Sequence, residues 1–437
     1  MHGGTERPPF VGYAAHSSGA ATGNPSAGIG LVNVTFFALG CFLHTASAQN
    51  TENNSTTERV GFVWGSSGRD TWGLLQSYVI TLLSCTWAVL HLNIPAPNDG
   101  SWVLFKRKLK WMIVTLIAPE ITCSVALRQW QESRAIVREM AEQGTDWKIA
   151  EGFFAAMGGY VLHHRGRSVP LLTPEIISLL KNNSATKQLF QLPRIKKRDI
   201  EDRSKASGFT KVFTLAQTGW LVAQCIARGA SHLPISQLEI TTIAFATCTI
   251  VASGFWWNKP LDFRVAIPVT YDGDLPDSFH SDSKGWRDRE ARQRVKMTTR
   301  IITRGSKKSM FFNLTLPLFL FSTIFSVIHL AAWNNDFATP TEQLMWRTCS
   351  ITATLSPLLV AGFLQIANIW DQSINSDTKD PITAPEFAAL VILCYFLSVV
   401  TYIAARGILI FQVFYCLRSM PSGIYESVSW VNYIPHV

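Results

Sequence analysis

PISQLEITTIAFATCTIVASGFWW, residues 234–257, carries one charged side chain, Glu239, in an otherwise uncharged and largely apolar run. A helix needs about 20 such residues to cross the hydrocarbon core of a bilayer. The Trp256-Trp257 pair closes the run as an interfacial aromatic anchor does. Comparable runs lie on either side, at Trp72–Leu90, Phe209–Ala227, Met310–Ala332, Gln343–Ala367 and Glu386–Ala405. Another, Trp111–Leu127, is shorter and interrupted by Pro119-Glu120. The pattern predicts an all-α fold, a polytopic transmembrane helix bundle of about 7–8 membrane segments, with 111–127 kinked or re-entrant.

Composition agrees. Of 437 residues 47% are apolar and only 16% charged, against about 25% charged in a soluble domain. The net charge of +9 sits beside the apolar runs, in Lys106, Arg107, Lys108 and Lys110 and in Arg287, Arg289, Arg292, Arg294 and Lys296. Basic residues so placed mark cytoplasmic loops and not a nucleic-acid surface. The 333–342 loop, with Asp336 and no Lys or Arg, suits the lumen. The eight cysteines fall in apolar stretches without a CxxC pair, which argues against a disulfide framework and a zinc site.

Residues 1–28, rich in Gly, Ala, Ser and Pro, are expected to be disordered. Residues 29–48 are a cleaved signal peptide ending Ala46-Ser47-Ala48 or a first span, and the uncharged lead-in favours the span. A lumenal loop, 49–71, holds sequons for glycosylation at Asn53 and Asn54. Membrane segments fill 72–128, and 129–208 is a long basic loop with short helices. The main bundle is 209–405 with a cytoplasmic loop at 258–309, and 406–437 is an interfacial C-terminal tail. The Arg194-Ile195-Lys196-Lys197-Arg198 cluster reads as cytoplasmic, which a full span at 111–127 would contradict and a re-entrant one satisfies. The bilayer is the expected partner, in the endoplasmic reticulum or another endomembrane.

No DDxxD, DxDD, HExxH, GxxxxGK[ST] or histidine box is present. No metal or other cofactor is therefore expected, and the adjacent His163-His164 reads as a surface loop. Polar groups inside the runs remain. A carboxyl at bilayer depth costs about 2.5–3.5 kcal/mol, which makes Glu120 and Glu239 the first catalytic candidates, as buried acids. Asp262 and Asp371, at the ends of two runs, come next. Ser84, Trp87 and His91 share one helix face, Gln217, Trp220, Gln224 and Arg228 a second, and Ser322, Ser326 and His329 a third. Together they predict a polar and aromatic cavity in which Trp87, His91, Trp220, Gln224 and His329 bind substrate.

Several local motifs carry a resemblance. Thr86-Trp87 with His91-Leu92-Asn93-Ile94-Pro95, Lys108-Leu109-Lys110-Trp111 with Ala118-Pro119-Glu120, Pro234 to Ile240, Trp256-Trp257-Asn258-Lys259-Pro260-Leu261-Asp262 and Pro435-His436-Val437 resemble a large fungal family of polytopic membrane proteins. Within that setting the chain resembles the integral-membrane terpene cyclases of meroterpenoid pathways, the macrophorin type. The resemblance implies a class II-type cyclase that protonates the terminal alkene of a prenylated, farnesyl-type substrate without a metal. Phe and Trp faces suit such a cation, each worth about 0.5–2 kcal/mol. A small-molecule transporter or a non-catalytic membrane protein is the alternative.

Overall fold

The computed structural model describes residues 58–65, 69–95, 99–164, 167–171, 176, 197–261, 263, 266–270, 316–377 and 384–428. The 29–48 run, the sequons at Asn53 and Asn54, Arg287 to Lys296 and Asp262 lie outside them. Of Asp371 only the helical backbone is described.

Nine helices are formed among the described residues. They are α1 (Thr71–Val89), α2 (Ser101–Ile117), α3 (Pro119–Ala141), α4 (Ile149–Ala156), α5 (Lys197–Ala230), α6 (Gln237–Phe255), α7 (Leu316–His329), α8 (Pro340–Asp377) and α9 (Ala384–Tyr415). Their starts follow local chemistry. Asp70 accepts a hydrogen bond from the Gly73 amide at the head of α1, and Pro119 opens α3 where its missing N–H is harmless. Ser236 and Glu239 form a capping box at the head of α6.

Four helical stretches are long and apolar enough to cross a membrane: α1, α6, Pro340–Ile366 of α8 and Ala389–Arg418. The α2–α3 pair passes the same test together but bends by 114°, which makes five if the pair counts as one. By length and composition the described residues thus hold four or five of the expected 7–8 segments. Lys211, Gln217 and Gln224 dilute the apolar half of α5, and α7 with its 3-10 extension, Leu316–Ala332, is short.

Core burial is unequal. Of α6, 83% of the candidate span is buried, of α9 only 11%. The first is the axis of the bundle; the second turns Phe396, Leu397, Val400, Ile403 and Phe411 outward. Inside, two hydroxyls of α6 bond back one turn, Thr242 to the Leu238 carbonyl at 2.8 Å and Thr247 to that of Ile243 at 2.9 Å.

Contacts fix which ends lie together. At one end Glu239 meets Arg69 and Arg228, and the Asn335 amide donates to the Ile235 carbonyl at 2.7 Å. The start of α1, the α5–α6 turn and the α7–α8 turn therefore share that end. At the other, Trp256 donates to Gln129 at 2.9 Å, Lys259 reaches the His91 carbonyl, and Lys108 lies 4.6 Å from the Trp87 ring. Both arms of the α2–α3 pair reach this second side, at Lys108 and Gln129. The bend between them is closed by the Thr115 and Thr122 hydroxyls, 2.8 Å apart.

Two small sheets depart from an all-helical reading. Strand β1 (Arg59–Val60) pairs antiparallel with β5 (Met420–Pro421) at the Glu239 end. Strand β2 (Tyr160–His164) pairs antiparallel with β3 (Arg167–Pro170) and parallel with β4 (Ile267–Thr270). His163-His164 is thus in a strand, not a loop. Tyr160 and Leu162 alternate inward onto Ile136, Met140, Phe154 and Val269, a second core beneath α3. Gly159 allows the approach of Phe154, whose ring would stand 2.2 Å from any added Cβ.

The tail expected to begin at 406 is also revised. Helix α9 runs through Arg406 to Tyr415, because that arginine is not alone.

Candidate functional site

Glu120 follows the Pro119 helix start, is 3% exposed, and points between α7 and α9. Arg406 donates from Nη1 to both its oxygens at 2.9 Å, and the Tyr402 hydroxyl donates to Oε1 at 3.0 Å. Tyr402 lies one turn before Arg406 and is tied to it by a 2.7 Å bond. The guanidinium lies over the Phe325 ring, 4.1 Å from its centroid, a cation–π contact in a dry setting. Beyond Phe325 the rings continue to His329 at 5.0 Å and from there to Trp346 at 5.9 Å. His329 is held through Nδ1 at the Phe325 carbonyl, 3.0 Å, while its own carbonyl accepts from the Trp346 indole at 3.0 Å. Ser322 and Ser326 share the buried face but bond back to the carbonyls of Leu318 and Ser322. A carboxylate, a phenol, a guanidinium and three rings are brought together here from α3, α7, α8 and α9.

Glu239 is placed differently. Oε1 takes Arg69 and Tyr78, and Oε2 takes the Ser236 amide and hydroxyl, both at 2.8 Å. Arg228 stands 3.9 Å away and donates to the carbonyls of Pro234, Gly423, Ile424 and Glu426. This carboxylate joins the heads of α1 and α6 to the chain end. It has no lone pair turned to a cavity, which makes it a structural anchor.

The matching family covers residues 37–279 and 313–437. The chain belongs to DUF8562, a family of unknown function. No curated protein and no solved structure matches it.

The remaining candidates of this DUF8562 chain separate. His91 is buried at the second end, its Nδ1 2.7 Å from the Val89 carbonyl and its ring 5.5 Å from Trp256. Trp87 packs on Phe105 and Lys108 from α2, away from Glu120. Trp220 is 53% exposed, so it does not line the interior. The inward face of α5 is instead Thr214, Thr218, Leu221 and Cys225, whose smaller side chains admit α1, with Cys85 Sγ 3.1 Å from the Thr218 hydroxyl. Gln224 is only partly buried beside that face. Of the five expected substrate contacts, His329 alone joins Glu120. Among the described residues no group of three or more His, Cys, Asp or Glu is placed to hold a metal ion.

Lys259 was not among the expected residues. It is 2% exposed and donates to the His91 carbonyl, to Gln129 at 2.7 Å and to Asn93 at 3.4 Å, with the Trp256 ring 5.0 Å away. Burial pushes its ammonium down to about 7 from 10.5; Glu132 opposes the shift and Arg107 adds to it. A folded-state value below the unfolded one means that the unfolded chain binds more protons between about pH 7 and 10.5. Stability in detergent then rises with pH across that window, and the slope vanishes in Lys259→Met. A melting temperature as steep in pH for the variant as for the parent would refute the assignment.

Proposed function

We propose that the chain is an endomembrane protein that cyclises a prenylated, farnesyl-type small molecule by protonating its terminal alkene within the bundle. In this reading α1, α5, α6, α7, α8 and α9 cross in alternating directions, while α2 and α3 enter and leave on the Lys106–Lys110 side. The positive-inside rule makes that side cytoplasmic and the Asp336 side lumenal. Support comes from the contacts that bring Gln129 of α3 to Lys259, Lys108 of α2 to Trp87, and Asn335 of the α7–α8 turn to Ile235 beside the head of α6.

Glu120 carries the reaction. Its carboxylate accepts three hydrogen bonds at bundle depth, next to the Phe325 and Tyr402 rings. The site is therefore complementary to the state just after the acid has given up its proton, which is where stabilisation accelerates a proton transfer. In the reacting form Glu120 is protonated; its O–H passes the proton to the alkene carbon, the cation closes the rings beside the aromatic faces, and a proton lost from the new skeleton returns to the Glu120 carboxylate. The net change is an isomerisation. Glu239, fully committed to Arg69, Arg228 and the α6 cap, is the weaker candidate.

Microsomes carrying the parent chain, fed a prenylated phenol-derived substrate, are expected to yield a cyclised product of unchanged mass. Glu120→Gln should yield at least a hundredfold less while still accumulating. Equal rates would move the role to Asp371 or Asp262, and no turnover by the parent would leave a transporter or a non-catalytic membrane protein.

A further inference from the structure

Arg406 is 7% exposed, yet only part of its donor set is used. Nη1 serves Glu120 and Tyr402. Nε and Nη2 have no hydrogen-bond partner among the described residues. These two nitrogens form one edge of the planar guanidinium, with parallel N–H bonds that grip one acceptor atom or two adjacent ones. Buried donors are rarely left unmet, because each lost bond carries the full desolvation cost. The α8–α9 seam holds other unmatched buried atoms as well, the Ser350 hydroxyl and Gln412 Oε1. The fork is therefore arranged to receive something that the described residues do not supply.

Charge narrows what that is. Glu120 already neutralises Arg406. A second carboxylate or a phosphate on the fork would leave a net negative charge at bundle depth, close to the Glu120 carboxylate, with little solvent to screen it. A neutral oxygen acceptor satisfies the same N–H groups and keeps the site at zero net charge. We infer that the Nε–Nη2 edge of Arg406 is the recognition group of an intrabundle site for the neutral carbonyl end of a lipid-soluble small molecule, a ketone, quinone or enone. This deepens the proposed function by naming the polar end of the ligand, and it rests on the same placement of Glu120 and Arg406. It is read by binding alone, so a failure to find cyclised product does not decide it.

The test uses the purified full chain in an alkyl maltoside, photolysed with 4-decylbenzophenone, a neutral ketone that cross-links where it binds. Cross-links are expected on peptides of α7 or α9 around Phe325 and Arg406. Competition by 2-undecanone should exceed that by decanoate at least tenfold, and undecane should not compete. Arg406→Lys, which keeps a cation for Glu120 but loses the planar fork, should cut labelling at least fivefold. Unchanged labelling in that variant, or decanoate competing as well as the ketone, would overturn the inference. So would a diester phospholipid that competes better than the ketone, since membrane lipid would then be the occupant. Should the lysine variant fail to fold, the parent chain still decides: equal thermal shifts with 2-undecanone and with undecane mean that the site does not read the oxygen.

Discussion

Arg406→Met lowers the stability of the detergent-solubilised protein by about 3–5 kcal/mol, the cost of leaving a buried charge without its partner. In the parent, Glu120 and Arg406 are 3% and 7% exposed and bridge α3 to α9. The methionine fills much of the arginine's volume, so the loss reports charge and not a cavity. Removing both partners reverses the outcome. Glu120→Leu combined with Arg406→Met takes away two desolvated charges together and should recover most of the stability. Membrane accumulation and thermal melting read both effects. The double variant should remain inactive and lose the benzophenone cross-link, because the acid and the fork have gone with the charges. A single Arg406→Met variant within about 1 kcal/mol of the parent would mean that the pair does not hold α3 to α9.

The arginine also marks where sequence reasoning stopped short. The apolar run from Glu386 ends at Ala405, which leaves Arg406 at the head of the expected interfacial tail, and Glu120 stands out as a charged group inside another run. Each was an anomaly when taken alone, and the structure resolves both by pairing them across 286 positions of chain. Opposite charges in two separate apolar runs are the signal that joins them, and a reading run by run does not weigh it. The break at Pro119 was legible because its chemistry is local, and the 114° bend falls there. The face of α5 was not. Period alone put Gln217, Trp220 and Gln224 on a common side; Gln217 does meet α1, donating to the Thr81 hydroxyl at 3.2 Å, but Trp220 turns outward. The small Thr214, Thr218 and Cys225 are what admit α1. The strand at His163-His164 escaped for a related reason, since its parallel partner β4 is about a hundred residues further along the chain.

Glu239→Leu is expected to do more damage than any other single substitution at the opposite end of the bundle. Glu239 is fully buried and is the counter-charge that Arg69 and Arg228 share. Arg228, itself 2% exposed, also holds the carbonyls of Gly423, Ile424 and Glu426, while Arg69 reaches that of Ile424. Leucine leaves two cations facing each other, opens the capping box at Ser236 and unseats the last described turn of the chain. Loss of the buried counter-charge costs about 3–5 kcal/mol, and loss of the cap about 1 kcal/mol more. The damage should be directional. Limited proteolysis ought to release the segment after Ser419 early, while the far end, where Trp256 and Lys259 share Gln129, stays protected. Glu239→Gln keeps an acceptor for Ser236 and should fall between the parent and the leucine variant. If Glu239→Leu accumulates and resists protease like the parent, the anchor lies elsewhere, in the β1–β5 pairing and the Thr71–Tyr425 contact at 2.8 Å. Glu239 would then be free to regain the acid role that its four donors now argue against.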